Sequence, residues 1–409
     1  MKILFIVPEL PYPPINGIRI KEYEFIKRLS LKHDLYLLSF YDPSTDDIHK
    51  SLEEMKKFCK EIKLFSILPQ KSLLIRGLRE IFLPTPSYFD RYRNKLFEKE
   101  LLNMVENYSL DIIHFDTVIL IPYRFTYKKK IPTVASINDS LSLSYQDEIS
   151  FLDNKRKEFF KKLLRMYQYV KIKRFERTAY PVFDMCHVVS HIDENYLRKL
   201  NPRINVVSVP LGIDTEFFKP FKGEQDYPSL IYVADFSGGA AEYALWFIDN
   251  VFSQLENRHS QIKLYLVGRN PKTKLLNIAK QKNNIIVTGY VDDIRPYLNK
   301  ATIFISPSMK SCGMLNKVLQ AMSMAKPIVG TPYSFYAIKE IEPGNHVMVA
   351  TSPLEFIRSI DALLKSEDLR RTLGENARSL IEEKYSWSVI IARIEELYQN
   401  IIERRRIGR

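Results

Sequence analysis

Short apolar runs separated by helical stretches constrain this chain more than any other feature. ILFIV (3–7), DLYLLSF (34–40), DIIHF (111–115) and TVASI (133–137) are too short for packed helices and carry strand-forming residues. The pattern restarts after a turn-rich passage, with VVSVP (206–210), LIYVA (230–234), KLYLVG (263–268), NIIVTG (284–289), TIFISP (302–307) and KPIVGT (326–331). Such continuous apolar strands alternating with helices predict an α/β fold of two consecutive doubly wound units, with a boundary near 205–225. Ligands of such sheets bind beyond the carboxyl ends of the strands, so facing strand ends would form a cleft.

Composition agrees. With 409 residues, 45% of them hydrophobic, the chain fills more than one core. It has no run of about 18 apolar residues, and KILFIV near the start is expected to be a buried strand rather than a signal segment. A cytoplasmic location is the expectation. Cys59, Cys186 and Cys312 are odd in number and far apart, which argues against a disulfide framework or a CxxC metal site.

The net charge of +13 calls for a partner. In KRKEFFKKLLRMYQYVKIKRFER (155–177), ten basic residues stand against two acidic ones, and Phe159, Leu163, Leu164 and Tyr167 share a face at helical spacing. Two readings stay open: a core-packed helix with a solvated basic face, or a helix lying on an anionic membrane surface. The segment 72–97 is a second membrane candidate. Nucleic acid is not an expected partner, because zinc-finger spacing, RNP-like aromatics and a recognition helix are all missing.

Neither GxGxxG nor GxxxxGK[ST] occurs. The nucleotide signal is instead SPSMKSCGMLNKVLQAMSMAKPIVGTP (306–332). After the strand TIFISP comes a loop, then Gly313 and a helix at 315–325, whose free amides and positive dipole end would cradle a diphosphate, with Lys317 one turn in.

Several segments in order resemble the retaining glycosyltransferases of family 4, which have the GT-B fold. They are VPLGIDTEFFKP (209–220), YLVGRNP (265–271), VTGYVDDIRPYLNKATIFISPS (287–308), GMLNKVLQAMSMAKPIVGT (313–331) and, in the first half, PYPPINGIRIKEYEFIKRLSLKHDLYLLSF (11–40). The resemblance implies two facing Rossmann-like domains: an acceptor-binding domain at 1–205, a donor-binding domain at 206–385, and a crossover helix with a basic tail at 386–409. It also implies a nucleoside-diphosphate-sugar donor, a glycan or lipid-linked acceptor, no cofactor and no metal.

The family's two signature glutamates fall here on Cys312 and Gln320, and Asp235 stands near a usual arginine. A neutral amide in place of a carboxylate weakens ribose binding by roughly 1 to 3 kcal/mol without abolishing it. Gly17 and the backbone of Gly238 and Gly239 remain as donor contacts, and Arg19, Arg269 or Lys317 would supply charge. The leaving diphosphate would sit on the amides of Met314, Leu315 and Asn316, with Arg269 or Lys317 as catalytic cations. Tyr290 and Val291 are implied to offer backbone to the base.

His114, Asp116 and Asp139 close two strands and are candidates for sugar or acceptor contact, and a transferred hydroxyl needs a proton route. Each has a structural alternative: His114 as a core histidine, Asp139 as the cap of a helix beginning at Ser140. Glu176 either matches a glutamate common in relatives or pairs with Arg174 or Arg177. Two rival functions remain, a weakened nucleotide-sugar-binding scaffold and a nucleotide-sugar epimerase.

Overall fold

The computed structural model describes residues 1–69, 72, 75, 79, 86–128, 130–151, 156–310 and 313–407. The chain divides into two units, Met1–Pro210 with Ile391–Arg409, and Leu211–Ile390. The first is built on a seven-stranded sheet in the order β3-β2-β1-β4-β5-β6-β7, and the second on a six-stranded sheet in the order β10-β9-β8-β11-β12-β13. All strand pairs within both sheets are parallel.

In the first sheet the strands are β1 (Lys2–Val7), β2 (Asp34–Tyr41), β3 (Cys59–Ser66), β4 (Ile112–Asp116), β5 (Thr133–Asn138), β6 (Met185–Val188) and β7 (Val206–Ser208). Ile3 through Val7 are each at most 1% exposed, which requires cover on both faces. Burying such side chains contributes about 1.5 to 3 kcal/mol each before entropy is counted. The run at 206–210 was expected to open the second unit. It closes the first instead, because Val206 pairs in register with Cys186 of β6. Two strands escaped the apolar reading: β3, whose KEIK pattern carries charges at the sheet edge, and the four-residue β6.

The second sheet comprises β8 (Asp226–Val233), β9 (Lys263–Val267), β10 (Ile285–Gly289), β11 (Ala301–Ser306), β12 (Ile328–Gly330) and β13 (Met348–Val349). Its core joins Leu230, Leu264, Ile303 and Val329 to helix residues such as Phe247, Phe252 and Phe356. Gly268 has φ +142° and lies so close to Ala234 that a Cβ would stand 1.9 Å from its carbonyl oxygen, so only glycine fits the turn after β9.

The basic segment forms the helix Arg156–Ala179, but the apolar residues of its first part are not in the core. Phe159, Leu163, Leu164, Met166, Tyr167 and Val170 are all exposed, from 39% to 62%. The helix thus divides: Ile172, Glu176 and Ala179 at its end are buried and Phe175 packs against the core, whereas the apolar face at 159–170 is exposed. Of the second candidate, 72–97, residues 73–74, 76–78 and 80–85 lie outside the described residues, Leu96 is exposed, and Phe89 and Phe97 are buried.

Strand alternation sends His114 of β4 into the core rather than to the sheet edge. It is fully buried, with ring centroids 4.9 Å from Phe5, 6.2 Å from Phe25 and 5.6 Å from His187. Its Nδ1 shares a 2.5 Å hydrogen bond with the Tyr398 hydroxyl. Burial, followed by His187 and Lys21, pulls the His114 pKa well down, and burial with Lys21 pulls His187 to about 3. Both rings are neutral core groups, so the assignment of His114 to catalysis is corrected to a structural one.

A histidine with a depressed pKa stabilises fully above the unfolded value of about 6.5, and that stability is lost as pH falls toward the folded value. His187→Phe should match the wild type in urea unfolding at pH 7.5 to within about 1 kcal/mol and exceed it by about 2 kcal/mol at pH 5. Equal acid sensitivity in the two proteins would refute the buried neutral histidine.

Candidate functional site

The order of the second sheet reverses between β8 and β11, the position at which doubly wound sheets open a crevice. A pocket of about 280 Å³ lies there, lined by residues at the end of β8, including Asp235, and by Ser308 after β11. Gly239, Tyr243, Asn316 and Lys317 complete its polar rim.

Two helices start at this pocket, Gly239–Phe247 and Asn316–Ser323. Gly238 and Leu315 hold their N-cap positions and provide no side-chain cap; the Ala241 and Val318 amides donate to their carbonyls, and the amides of Gly239, Ala240, Asn316 and Lys317 are left for a ligand or solvent. Gly313 lets the chain enter the second helix with φ +64°, in the left-handed region that glycine favours. Two uncapped helix starts thus turn their backbone donors and positive dipole ends toward one cavity.

Lys317 is half-buried and has no hydrogen bond or ion pair among the described residues. Burial, then the nearby Arg269, lowers its pKa. Arg269 is already engaged: its Nε donates to Asp235 at 2.7 Å. Asp235 also accepts from the Ser237 amide at 3.0 Å and Asn270 Nδ2 at 3.2 Å. Burial pushes this carboxyl up, but Ser237, Arg269 and Asn270 outweigh it and hold the group well below the usual carboxylate range. The pocket is thus lined by one cation without a partner among the described residues, Lys317, and by a carboxylate that commits Arg269.

The other expected donor contacts fall partly inside and partly outside the lining of this pocket. Met314 is buried, its Sδ accepting from the Leu211 amide, whereas Leu315 and Asn316 line the cavity. Gln320 is 7% exposed, and its Oε1 has no hydrogen-bond partner among the described residues. Tyr290 is 70% exposed beyond β10, and Val291 is half-buried. Cys312 lies outside the described residues.

In the first unit the strand order reverses between β1 and β4. The helix Gly17–Leu29 starts beside this point, but Asn16 caps it by accepting from the Arg19 amide at 2.9 Å. Arg19 is buried and bound to Glu9 at 2.6 Å and Asp46 at 2.7 Å. Its charge is spent on these carboxylates, so Arg19 does not form the free anion contact expected of it.

The residues missed from sequence are Lys21 and Glu22. Lys21 is 2% exposed, and its Nζ donates to Asp116 at 2.7 Å, Ser136 at 2.7 Å and Asn138 at 2.5 Å, tying β4 to β5. Both strand ends turn through positive φ, 64° at Thr117 and 68° at Asn138. Glu22 is buried without a hydrogen bond among the described residues, and burial together with Asp116 raises its pKa well above the ordinary range. A signal existed: Lys21 and Glu22 precede the buried Phe25 and Ile26 by four residues and so share their stripe.

Asp139 follows β5. It does not cap a helix; its Oδ1 is buried and unpartnered among the described residues, and burial, then Asp193, raises its pKa to about 7. Ser140 donates its amide to Asp193 at 2.8 Å, and its hydroxyl accepts from the Leu143 amide at 3.3 Å. Glu176 pairs with neither neighbouring arginine. It is fully buried, where it accepts from the Ser142 amide at 3.2 Å and from the hydroxyls of Ser140 and Ser142, fastening the start of the helix Leu141–Phe151. Burial raises its pKa to about 7 against these bonds.

Comparison with known proteins follows the same division. Residues 227–366 match the family described as Glycosyl transferases group 1, and residues 23–217 match Glycosyltransferase Family 4. An uncharacterized glycosyltransferase of Methanocaldococcus jannaschii is 28% identical over 185 residues, 36% of this chain and 47% of that protein, so the match spans about half the relative's length. Sucrose-phosphate synthase from Thermosynechococcus elongatus superposes with TM-score 0.70 at 15% identity, over 98% of this chain and 100% of that one. Anabaena HepE in complex with UDP gives 0.65 at 14%, over 98% and 100%. These likenesses establish the fold as GT-B, with two Rossmann-like parallel sheets.

Glu176 supplies a check on the first unit. An acid with a raised folded pKa stabilises fully below its unfolded pKa of about 4.5 and loses that contribution as pH rises to about 7. Glu176→Gln, which mimics the protonated acid, should gain about 3 kcal/mol on the wild type between pH 4.5 and 7.5 in urea unfolding. A pH-independent difference would show that the carboxyl is not held neutral.

Proposed function

We propose that this chain, which belongs to the group 1 and family 4 glycosyltransferases, moves a sugar from a nucleoside diphosphate to a glycan or lipid-linked acceptor with retention at the anomeric carbon. The observation that carries the reading is the pocket at the β8/β11 reversal, where two uncapped helix starts and Lys317 converge. A diphosphate fits this chemistry, with backbone amides for its oxygens and an ammonium for its charge. A structural neighbour crystallised with UDP supports the same ligand class.

In this reading the bond between the anomeric carbon and the diphosphate oxygen breaks as the acceptor oxygen bonds to that carbon on the same face. The charge developing on the diphosphate is taken by the amides of Asn316 and Lys317, the Lys317 ammonium and Arg269. Gln320, with an unpartnered amide oxygen, accepts from the ribose. The acceptor proton passes to the leaving phosphate.

The exposed apolar and basic helix Arg156–Ala179 supports a contact with an anionic membrane, which would suit a lipid-linked acceptor. No helix among the described residues is long and apolar enough to cross a bilayer.

Thermal shift against UDP, GDP, ADP and dTDP tests the donor site. One nucleotide should stabilise the wild type, Lys317→Met should weaken its binding about tenfold or more, and Gln320→Glu should strengthen it about fivefold or more. Stabilisation of Gln320→Glu alone would favour the non-catalytic scaffold. For the membrane contact, sedimentation with vesicles of phosphatidylcholine and 30% phosphatidylglycerol should pellet the wild type, and Leu163→Asp/Val170→Asp should stay in solution; equal partition would remove the membrane partner.

A further inference from the structure

A carboxylate, that of Asp235, stands in the wall of the pocket. It lies against Arg269, Ser237 and Asn270, and Lys317 shares the pocket's rim. The lining of the cavity thus carries one cation, Lys317, and one anion, Asp235, and Arg269 is bound to that anion. Among the described residues Arg269 uses only Nε on Asp235, which leaves its two terminal nitrogens for a ligand.

We propose that Asp235 is a charge-discriminating residue that makes the pocket hold the free nucleoside diphosphate more weakly, relative to the sugar-linked donor, than its cations alone would. This rests on the nucleotide-sugar reading of the pocket. In the donor both phosphates are esterified or bridged, and each carries one negative charge. Once the sugar leaves, the terminal phosphate gains a second ionisation with a pKa near 6, so the product carries close to one more charge at neutral pH. A fixed carboxylate beside the diphosphate repels that extra charge, whereas cations alone would hold the product more tightly than the donor. Asp235 therefore limits product inhibition and lets the diphosphate depart after transfer. The same carboxylate keeps Arg269 in place, so the cation needed during transfer and the anion needed for release are one ion pair.

A structural role in the turn predicts a different outcome. Asp235→Asn keeps an acceptor for the Ser237 amide, so a turn-forming role would leave binding unchanged or alter both ligands alike. The test is isothermal titration of wild type and Asp235→Asn with UDP, UDP-glucose and inorganic pyrophosphate, at pH 7.5 and pH 5.5. The expected result at pH 7.5 is about tenfold tighter binding of UDP and pyrophosphate by the variant, with less than about threefold for UDP-glucose. At pH 5.5, where UDP has lost most of its extra charge, its gain should fall to that of UDP-glucose. Binding of UDP by the variant but not by the wild type also supports the proposal. Equal gains for UDP and UDP-glucose, no change, or weaker binding of both overturns it while leaving the nucleotide site standing. Failure of both proteins to bind any probe overturns the site and the proposal together.

Discussion

Parallel strands can be joined only by crossovers, so each strand of a parallel sheet leaves the sheet at the same edge. The rest of this structure depends on that constraint. It brings the turns after β8 and β11 together at the point where the strand order reverses, and with them two helix starts. In the first unit it brings the ends of β1, β4 and β5 together in the same way. Chemistry collects at these edges because backbone amides there have no partner in the sheet and helix dipoles add their positive ends.

The two edges handle charge differently. In the first unit cations are neutralised within the protein: Arg19 by Glu9 and Asp46, Lys21 by Asp116 with two further acceptors. A buried pair of this kind holds strand ends in one geometry rather than attracting a ligand, since removing either partner strands the other's charge. At the pocket of the second unit Arg269 is paired with Asp235, and Lys317 is left without a partner among the described residues. The unit with an ammonium free of protein partners among its described residues is the one suited to an anionic ligand.

Carboxyl groups show how far burial overrides composition. Glu22, Asp139 and Glu176 are pushed up by desolvation first, although the chain as a whole is strongly basic. Local dielectric and nearby donors outweigh net charge, which is set mostly by solvated side chains. The exposed helix Arg156–Ala179 is the converse, with apolar residues in solvent.

Local pattern was enough to place most strands, the division into two α/β units, and the loop with Gly313 and Lys317, because strand periodicity and glycine requirements act over a few residues. It failed for β3, β6 and β13, whose strand character comes from ladder partners far along the chain, and it gave β7 to the wrong unit. The site divides likewise. Sequence by itself determined which residue types lie near strand ends: Asp235, Asn316, Lys317 and Asp139. Only the tertiary structure decided which of them keep their charge or an open valence for a ligand. It tied Arg19 to Glu9 and Asp46, turned His114 into the core, put Lys21 beneath two strand ends and set Asp235 against Arg269. Ion pairing and desolvation act through distances of a few ångströms, and those distances join residues that the chain keeps far apart.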